Sequence, residues 1–212
     1  MGEWERWEMG EWKARPETHK SDDTSEMILP LLWYALYYGW ILFELFIAIY
    51  KRTDKDTGSV QDRGTQALLW IVIFASMTAC EFIRRMLAPT MFAPASIAGI
   101  IFLIAGLAVR CIAIITLGKA FSANVAIKSA QTIQRTGIYS VLRHPSYSGL
   151  LLIFLGIGLH SRNWLGLAVA FLPSTAALLY RIHIEEAALS RTFGPEYLAY
   201  SRATKRLVPG VY

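Results

Sequence analysis

Five apolar segments dominate this sequence and limit the folds that the chain can adopt. A helix needs about 20 apolar residues to cross a bilayer, and a backbone away from water must satisfy its own hydrogen bonds. Hydrophobic residues make up 54% of the 212 residues and charged residues 17%, which is unusual for a soluble protein. The segments cover residues 27–50, 67–83, 95–117, 148–160 and 164–180.

This pattern predicts an all-α fold, a polytopic transmembrane bundle of about five helices. The fourth segment is short for a crossing, so we expect protein rather than lipid around it. A single membrane-embedded domain would cover residues 27–212, with amphipathic helices after residue 180. Residues 1–26 hold eight acidic and four basic residues, and we expect a polar tail there rather than a cleaved signal peptide.

The basic residues predict the orientation of the bundle. With five crossings, thirteen Lys and Arg fall on the side that carries residues 51–66, residues 118–147 and the C-terminal tail, against seven on the other side. Lys and Arg accumulate on the cytoplasmic side, so we expect that loop and the C-terminus in the cytoplasm. Four crossings would undo this orientation.

Other features of the sequence bear on partners and cofactors. The basic residues lie in loops between apolar runs rather than on one polar face, which argues against nucleic acid and favours membrane lipids as partners. Cys80 and Cys111 lie in apolar segments and are expected to be buried thiols. The sequence has no CxxC or HExxH pattern, so we expect no metal site, and no GxGxxG motif of a soluble dinucleotide-binding domain.

Charged residues inside the apolar segments include Glu44 in the first and Arg110 near the end of the third. A charge in the hydrocarbon region is costly, so each should face the bundle interior. Arg110 is therefore a candidate functional residue. The alternative is a packing role, in which Arg110 pairs with a backbone carbonyl, Glu44 or Glu81.

A polar stretch, GIYSVLRHPSYSG at residues 137–149, follows the third apolar segment and reaches the start of the fourth. Gly137 and Gly149 allow backbone angles that other residues resist. Pro145 disfavours helical geometry at His144. We therefore expect a shaped polar turn at the mouth of a membrane helix, in which His144 either binds a ligand or makes a structural hydrogen bond.

A second polar cluster, RIHIEE at residues 181–186, follows the fifth apolar segment. On a helix Arg181 and Glu185 share a face, whereas Glu186 is turned about 100° away. A surface salt bridge is one explanation of the pair. The predicted orientation also brings this cluster and the His144 turn to one cytoplasmic mouth, which favours a joint site.

Four motifs in order carry a family resemblance, and they cover roughly residues 95–212. They are TLGKAFSANV at 116–125, TGIYSVLRHPSYSG at 136–149, RIHIEEAAL at 181–189 and FGPEYLAYSRATKRLVPGVY at 193–212. They resemble the isoprenylcysteine carboxyl methyltransferase family and its bacterial relatives, within a phospholipid methyltransferase-like superfamily. The first two apolar segments match only in being hydrophobic.

The resemblance implies S-adenosylmethionine as cofactor, with residues 118–212 as the cofactor-binding part. It implies that Arg181 and Glu185 are catalytic and that Arg181, to which we add Arg110, binds substrate. Gln131 stands where the family usually has a histidine, and an amide cannot carry that charge. The implied cofactor-binding residues are Gln131, Thr132, Ile133, Gln134, Tyr139, His144, Pro145, Ser146, Tyr147 and Glu185.

The resemblance thus implies an integral membrane methyltransferase that acts on an isoprenoid or other lipid-like acceptor, such as the carboxylate of a prenylated cysteine. A carboxylate needs no general base, whereas an amine acceptor would need one, with Glu185 or Glu186 nearest. The alternatives are an NADPH-dependent reductase of the sterol type, which the Arg181 and Glu185 arrangement disfavours, and a non-catalytic membrane scaffold.

Overall fold

The computed structural model describes residues 20–50, 58–60, 64–118, 121, 126–128 and 132–210. Within these ranges the chain forms six α-helices, a short 3-10 helix at Gly137–Ser140 and one two-stranded sheet. The helices are α1 (Lys20–Tyr50), α2 (Thr65–Met86), α3 (Pro94–Leu117), α4 (Pro145–His160), α5 (Trp164–Phe193) and α6 (Pro195–Ala203). The strands are β1 (Gly58–Val60) and β2 (Ala126–Lys128).

The predicted fold class is confirmed: the protein is an integral, multi-pass bundle of membrane helices. Four helical stretches in the described part are long and apolar enough to cross a bilayer, namely Met27–Ile49, Thr65–Met86, Pro94–Leu117 and Trp164–Phe193. The fourth apolar segment forms the shorter helix α4. Its Ile153 and Phe154 are fully buried, so protein surrounds α4 as expected.

Glycines let α3 and α4 approach within backbone contact. A Cβ at Gly106 of α3 would lie 2.6 Å from the carbonyl oxygen of Gly149, and one at Gly156 would lie 2.6 Å from the carbonyl oxygen of Gly99. Small residues permit such close helix packing in membranes. The expectation that Gly149 shapes a turn is therefore wrong, because Gly149 lies inside α4 and its missing side chain makes room for α3.

Helix α5 extends further than the apolar pattern predicts. It continues without a break from the membrane segment through Arg181 and Glu185 to Phe193, and it contains Pro173. Gly194 then reverses the chain with a φ of 51° and leads into α6. The second polar cluster is thus fixed to a membrane helix rather than to a separate tail.

The short sheet connects two loops at one end of the bundle. Strand β1, between α1 and α2, pairs antiparallel with β2, which follows α3, and Ser59 lies opposite Ile127. These strands were not predicted. Helix α1 begins at Lys20, inside the predicted polar tail, whereas residues 1–19 lie outside the described part of the chain.

Candidate active site

A cavity opens at the end of the bundle where α1 and α3 finish and α2 and α4 begin. It offers about 150 Å³ of space for the centres of water-sized molecules, and all six helices contribute to its wall. Pro145 is buried as the first residue of α4, and Gln131 lies outside the described residues. The other predicted site residues line the cavity: Arg110, Thr132, Ile133, Gln134, Tyr139, His144, Ser146, Tyr147, Arg181 and Glu185.

The turn before α4 has the shape that its sequence predicts at Gly137 and at His144. Gly137 has a φ of 59°, in the region that favours glycine. His144 adopts a non-helical φ of −124° and ψ of 54° before Pro145 opens α4. The turn is then tied to the C-terminal segment, since the His144 amide donates to the Arg206 carbonyl at 3.1 Å and the Arg143 amide to the Lys205 carbonyl at 2.7 Å.

Arg181, Tyr147 and Glu185 form a chain of hydrogen bonds in the cavity wall. The Arg181 Nε donates to the Tyr147 hydroxyl at 3.0 Å, and this hydroxyl donates to Glu185 Oε2 at 2.9 Å. Arg181 is 3% exposed and also donates to Thr65 Oγ1 at 3.1 Å. The explanation as a surface salt bridge is therefore wrong, because Arg181 is buried and its side chain donates hydrogen bonds to α4 and α2.

Glu186, on the neighbouring face of α5, joins the two polar clusters. Its Oε1 accepts from Arg143 Nε at 3.0 Å and lies 3.3 Å from His144 Nε2. Its Oε2 accepts from Arg206 Nε at 3.0 Å. The expectation that the clusters meet at one mouth is thus met in the structure. Because three basic side chains surround it, Glu186 holds the turn and the C-terminal segment against α5.

Glu44 and Arg110 form a buried pair beneath the cavity. Arg110 Nη2 donates to Glu44 Oε2 at 2.6 Å, and a second bond joins Arg110 Nε to Glu44 Oε1. Arg110 Nη1 donates to the Ser146 hydroxyl at 2.7 Å. Glu44 therefore faces the interior as predicted. Arg110 pairs with Glu44, as the alternative interpretation of Arg110 proposed, and Arg110 also lines the cavity.

Two tyrosines of α6 complete the wall, although the sequence analysis assigned them no role. Burial raises the pKa of Tyr197 and raises that of Tyr200 to about 12, so both remain neutral phenols at ordinary pH. The Tyr200 hydroxyl donates to the Tyr139 carbonyl at 2.8 Å. The buried Tyr197 hydroxyl has no hydrogen-bond partner among the described residues. Both tyrosines lie in the FGPEYLAY motif, and their spacing of three residues is the sequence feature that could have identified them.

Comparisons with known proteins bear directly on this end of the bundle. The model of the isoprenylcysteine carboxyl methyltransferase (ICMT) family matches residues 99–191. Protein-S-isoprenylcysteine O-methyltransferase A of Arabidopsis thaliana is 34% identical over 116 residues, which cover 53% of this chain and 58% of that protein. The Saccharomyces cerevisiae protein-S-isoprenylcysteine O-methyltransferase is 35% identical over 107 residues, 50% of this chain and 45% of that protein.

A solved structure shares the fold. It is the eukaryotic intramembrane Ras methyltransferase ICMT, at 26% identity and a TM-score of 0.52, over 69% of this chain and 51% of that one. The chain spans about half the length of the curated relatives that it matches. The matched segment runs from α3 to Arg191 and includes Arg110, His144, Tyr147, Arg181 and Glu185. Over that segment, the chain is similar to the isoprenylcysteine carboxyl methyltransferase family.

Proposed function

We propose that this protein is a membrane methyltransferase that uses S-adenosylmethionine to methylate the carboxylate of an isoprenylated cysteine or a similar lipid-like acceptor. One observation carries the proposal. Arg181 and Glu185, linked through the Tyr147 hydroxyl, line a single cavity at the end of a membrane helix bundle. The cavity thus offers a cation for a carboxylate acceptor and an anion for a cationic donor. The curated relatives are named for this chemistry.

The residues of the cavity fit the proposed cofactor. The Glu185 side chain is 31% exposed and favours a cation such as a sulfonium or an ammonium in a site with little water. The Tyr197 hydroxyl, buried and without a described partner, can bond to a polar group of a bound ligand. When bound, S-adenosylmethionine supplies a methyl group that a carboxylate oxygen can accept, leaving S-adenosylhomocysteine.

Arg181 is the proposed binding residue for the acceptor. A guanidinium can grip a carboxylate through two parallel hydrogen bonds, and α4 and α5 hold Arg181 in a fixed position. The carboxylate is already a nucleophile, so no side chain must remove a proton. The protein's contribution is then alignment and exclusion of water. An amine acceptor would require a base. Glu186, one of the two nearest carboxylates, is already bound to Arg143, His144 and Arg206, which disfavours its use as that base.

The apolar part of the wall suits a hydrocarbon chain. Ile47 of α1, Leu69 and Ile73 of α2 and Leu150 of α4 line the cavity together with the polar residues. Burial of apolar surface stabilises a complex by about 25 cal/mol for each Å² removed from water. The same cavity can thus bind a charged head and an apolar tail. We further propose that this end and the C-terminus face the cytoplasm, in agreement with the distribution of Lys and Arg.

The test is methyl transfer by the detergent-solubilised protein from S-adenosylmethionine with a labelled methyl group to an S-farnesylated cysteine. The expected product is a methyl ester, which releases its label in base. Arg181→Ala should lower kcat/KM by about 10- to 100-fold, the effect of losing hydrogen bonds to a charged group. Arg202→Gln, at an exposed arginine of α6, is the matched control and should keep the wild-type rate.

Two results would count against parts of the proposal. A label that is transferred but stable to base would point to an amine acceptor. Transfer at the wild-type rate by Arg181→Ala would remove Arg181 from the acceptor site.

A further inference from the structure

A second, smaller cavity lies at the opposite end of the bundle, between α1, α2 and α4. It offers about 40 Å³ of space for the centres of water-sized molecules. Four aromatic residues of α1 line it, Trp33, Tyr34, Tyr37 and Tyr38, opposite a charged group on α2. Methyl transfer at the candidate active site makes no use of these residues.

The charged group on α2 carries an excess positive charge. Glu81 accepts from Arg84 Nε at 2.7 Å and from Arg85 Nε at 2.6 Å. Two guanidinium groups against one carboxylate leave a net charge of about +1. The Arg85 side chain is 61% exposed. The mouth of this cavity therefore attracts an anion and disfavours a cationic group such as choline.

Contacts among several helices hold the aromatic wall in place. The Trp33 ring stacks on the His160 ring of α4, with centroids 3.6 Å apart and planes 9° from parallel. His160 Nδ1 lies 2.9 Å from the Ser96 hydroxyl of α3, and Arg84 Nη2 donates to the Tyr34 hydroxyl at 3.0 Å. These contacts hold the wall of the cavity in a fixed arrangement, which reduces the entropy cost of binding.

The surroundings of the cavity are those of the boundary between headgroups and acyl chains. Trp and Tyr favour that depth in a membrane, and Arg84 and Arg85 lie in the last turn of α2. Beside them, Tyr38, Phe82 and Phe74 are 56%, 62% and 74% exposed. A ligand here would place its charge at the arginines and its hydrocarbon along these exposed side chains.

We propose that this cavity binds one anionic phospholipid, with its phosphate against Arg84 and Arg85 and its acyl chains along the exposed apolar surface of α1 and α2. The charge of the site favours an anionic phospholipid over a zwitterionic one. A phosphatidylglycerol headgroup has one negative charge to match the excess positive charge. A phosphatidylcholine headgroup would place its choline beside the two guanidinium groups.

Native mass spectrometry of the full chain in detergent tests this proposal. Phosphatidylglycerol should give a one-to-one complex that survives at lipid concentrations where phosphatidylcholine does not bind. Arg85→Gln should weaken this complex about fivefold, the contribution of one basic residue beside an anionic lipid. Arg85→Lys should keep most of the binding, and Arg202→Gln, the exposed arginine of α6, should bind as the wild type does.

Three outcomes would overturn the proposal. They are equal binding of phosphatidylcholine and phosphatidylglycerol, equal losses in Arg85→Gln and Arg202→Gln, and displacement of the lipid by glycerol phosphate at matched concentration. The last would show a site for free phosphate rather than for a membrane lipid. Arg85 is exposed, so its variants should fold, and an unchanged melting temperature checks this.

Discussion

The two ends of the helix bundle both carry arginines, glutamates and aromatic rings, yet they are built differently. At the end with the candidate active site, the charged partners lie far apart in sequence, as in the pairs Glu44 with Arg110 and Arg143 with Glu186. At the opposite end, Glu81 pairs with Arg84 and Arg85 within one turn of α2. The first arrangement exists only when the bundle is assembled, whereas the second needs only a helix.

The burial of the charged pairs also differs between the two ends, and it determines how much each pair contributes to stability. The side chains of Arg110 and Glu44 are 6% and 1% exposed, against 61% for Arg85 and 33% for Glu81. Removing one partner of a buried pair leaves an uncompensated charge and costs about 3–5 kcal/mol. Exposed pairs contribute about 0–1 kcal/mol. The buried charges that the whole fold positions therefore lie at the end with the candidate active site.

The largest effect is expected from Glu44→Ala. It leaves Arg110 buried without its carboxylate and should lower the free energy of unfolding by about 3–5 kcal/mol. Thermal melting of the detergent-solubilised protein measures this loss. The double variant Glu44→Leu with Arg110→Met removes both charges and should recover most of the stability. A Glu44→Ala protein as stable as the wild type would show that the two ends do not differ in this way.

Tyr147→Phe should have an intermediate effect, on activity rather than on stability. The change removes the hydroxyl that lies between Arg181 and Glu185, so both lose a hydrogen bond that orients them. We expect kcat/KM for methyl transfer to fall about tenfold. Tyr38→Phe at the opposite end is the matched control and should not change the rate. Equal rates in both variants would mean that the Tyr147 hydroxyl has no positioning role.

The smallest effect is expected from Glu81→Gln. It breaks ion pairs that are partly or largely exposed, so the free energy of unfolding should change by less than about 1 kcal/mol. Methyl transfer should keep its wild-type rate. A loss as large as that of Glu44→Ala, measured by the same melting experiment, would remove the distinction between the two ends.

The sequence predicted the bundle and part of the candidate site because those features have local signatures, whereas the cofactor-binding residues were implied by the family resemblance. Long apolar runs predict membrane helices, Pro145 predicts the break at His144, and the spacing of Arg181 and Glu185 places them on one face. The cost of a buried charge correctly predicted that Glu44 faces the interior. Each of these inferences needs only neighbouring residues and the nature of the solvent.

The remaining features depend on how helices pack against one another. Gly149 was assigned to a turn because its contact with α3 has no local signal. Thr65 and Trp70 of α2 line or support the site, yet no pattern around them indicates which face of α2 meets α5. The three basic partners of Glu186 come from the turn and the C-terminal segment, up to 43 residues away. Such contacts follow from tertiary structure, which periodicity does not contain.

Calorimetric titration of the solubilised protein with S-adenosylmethionine, S-adenosylhomocysteine and NADPH would show which cofactor the candidate active site binds. Both S-adenosyl compounds should bind at one site with micromolar affinity, and NADPH should not bind. Glu185→Gln should weaken S-adenosylmethionine more than S-adenosylhomocysteine, because only the former carries the sulfonium charge. Binding of NADPH without either S-adenosyl compound would contradict the assignment and make the protein a reductase.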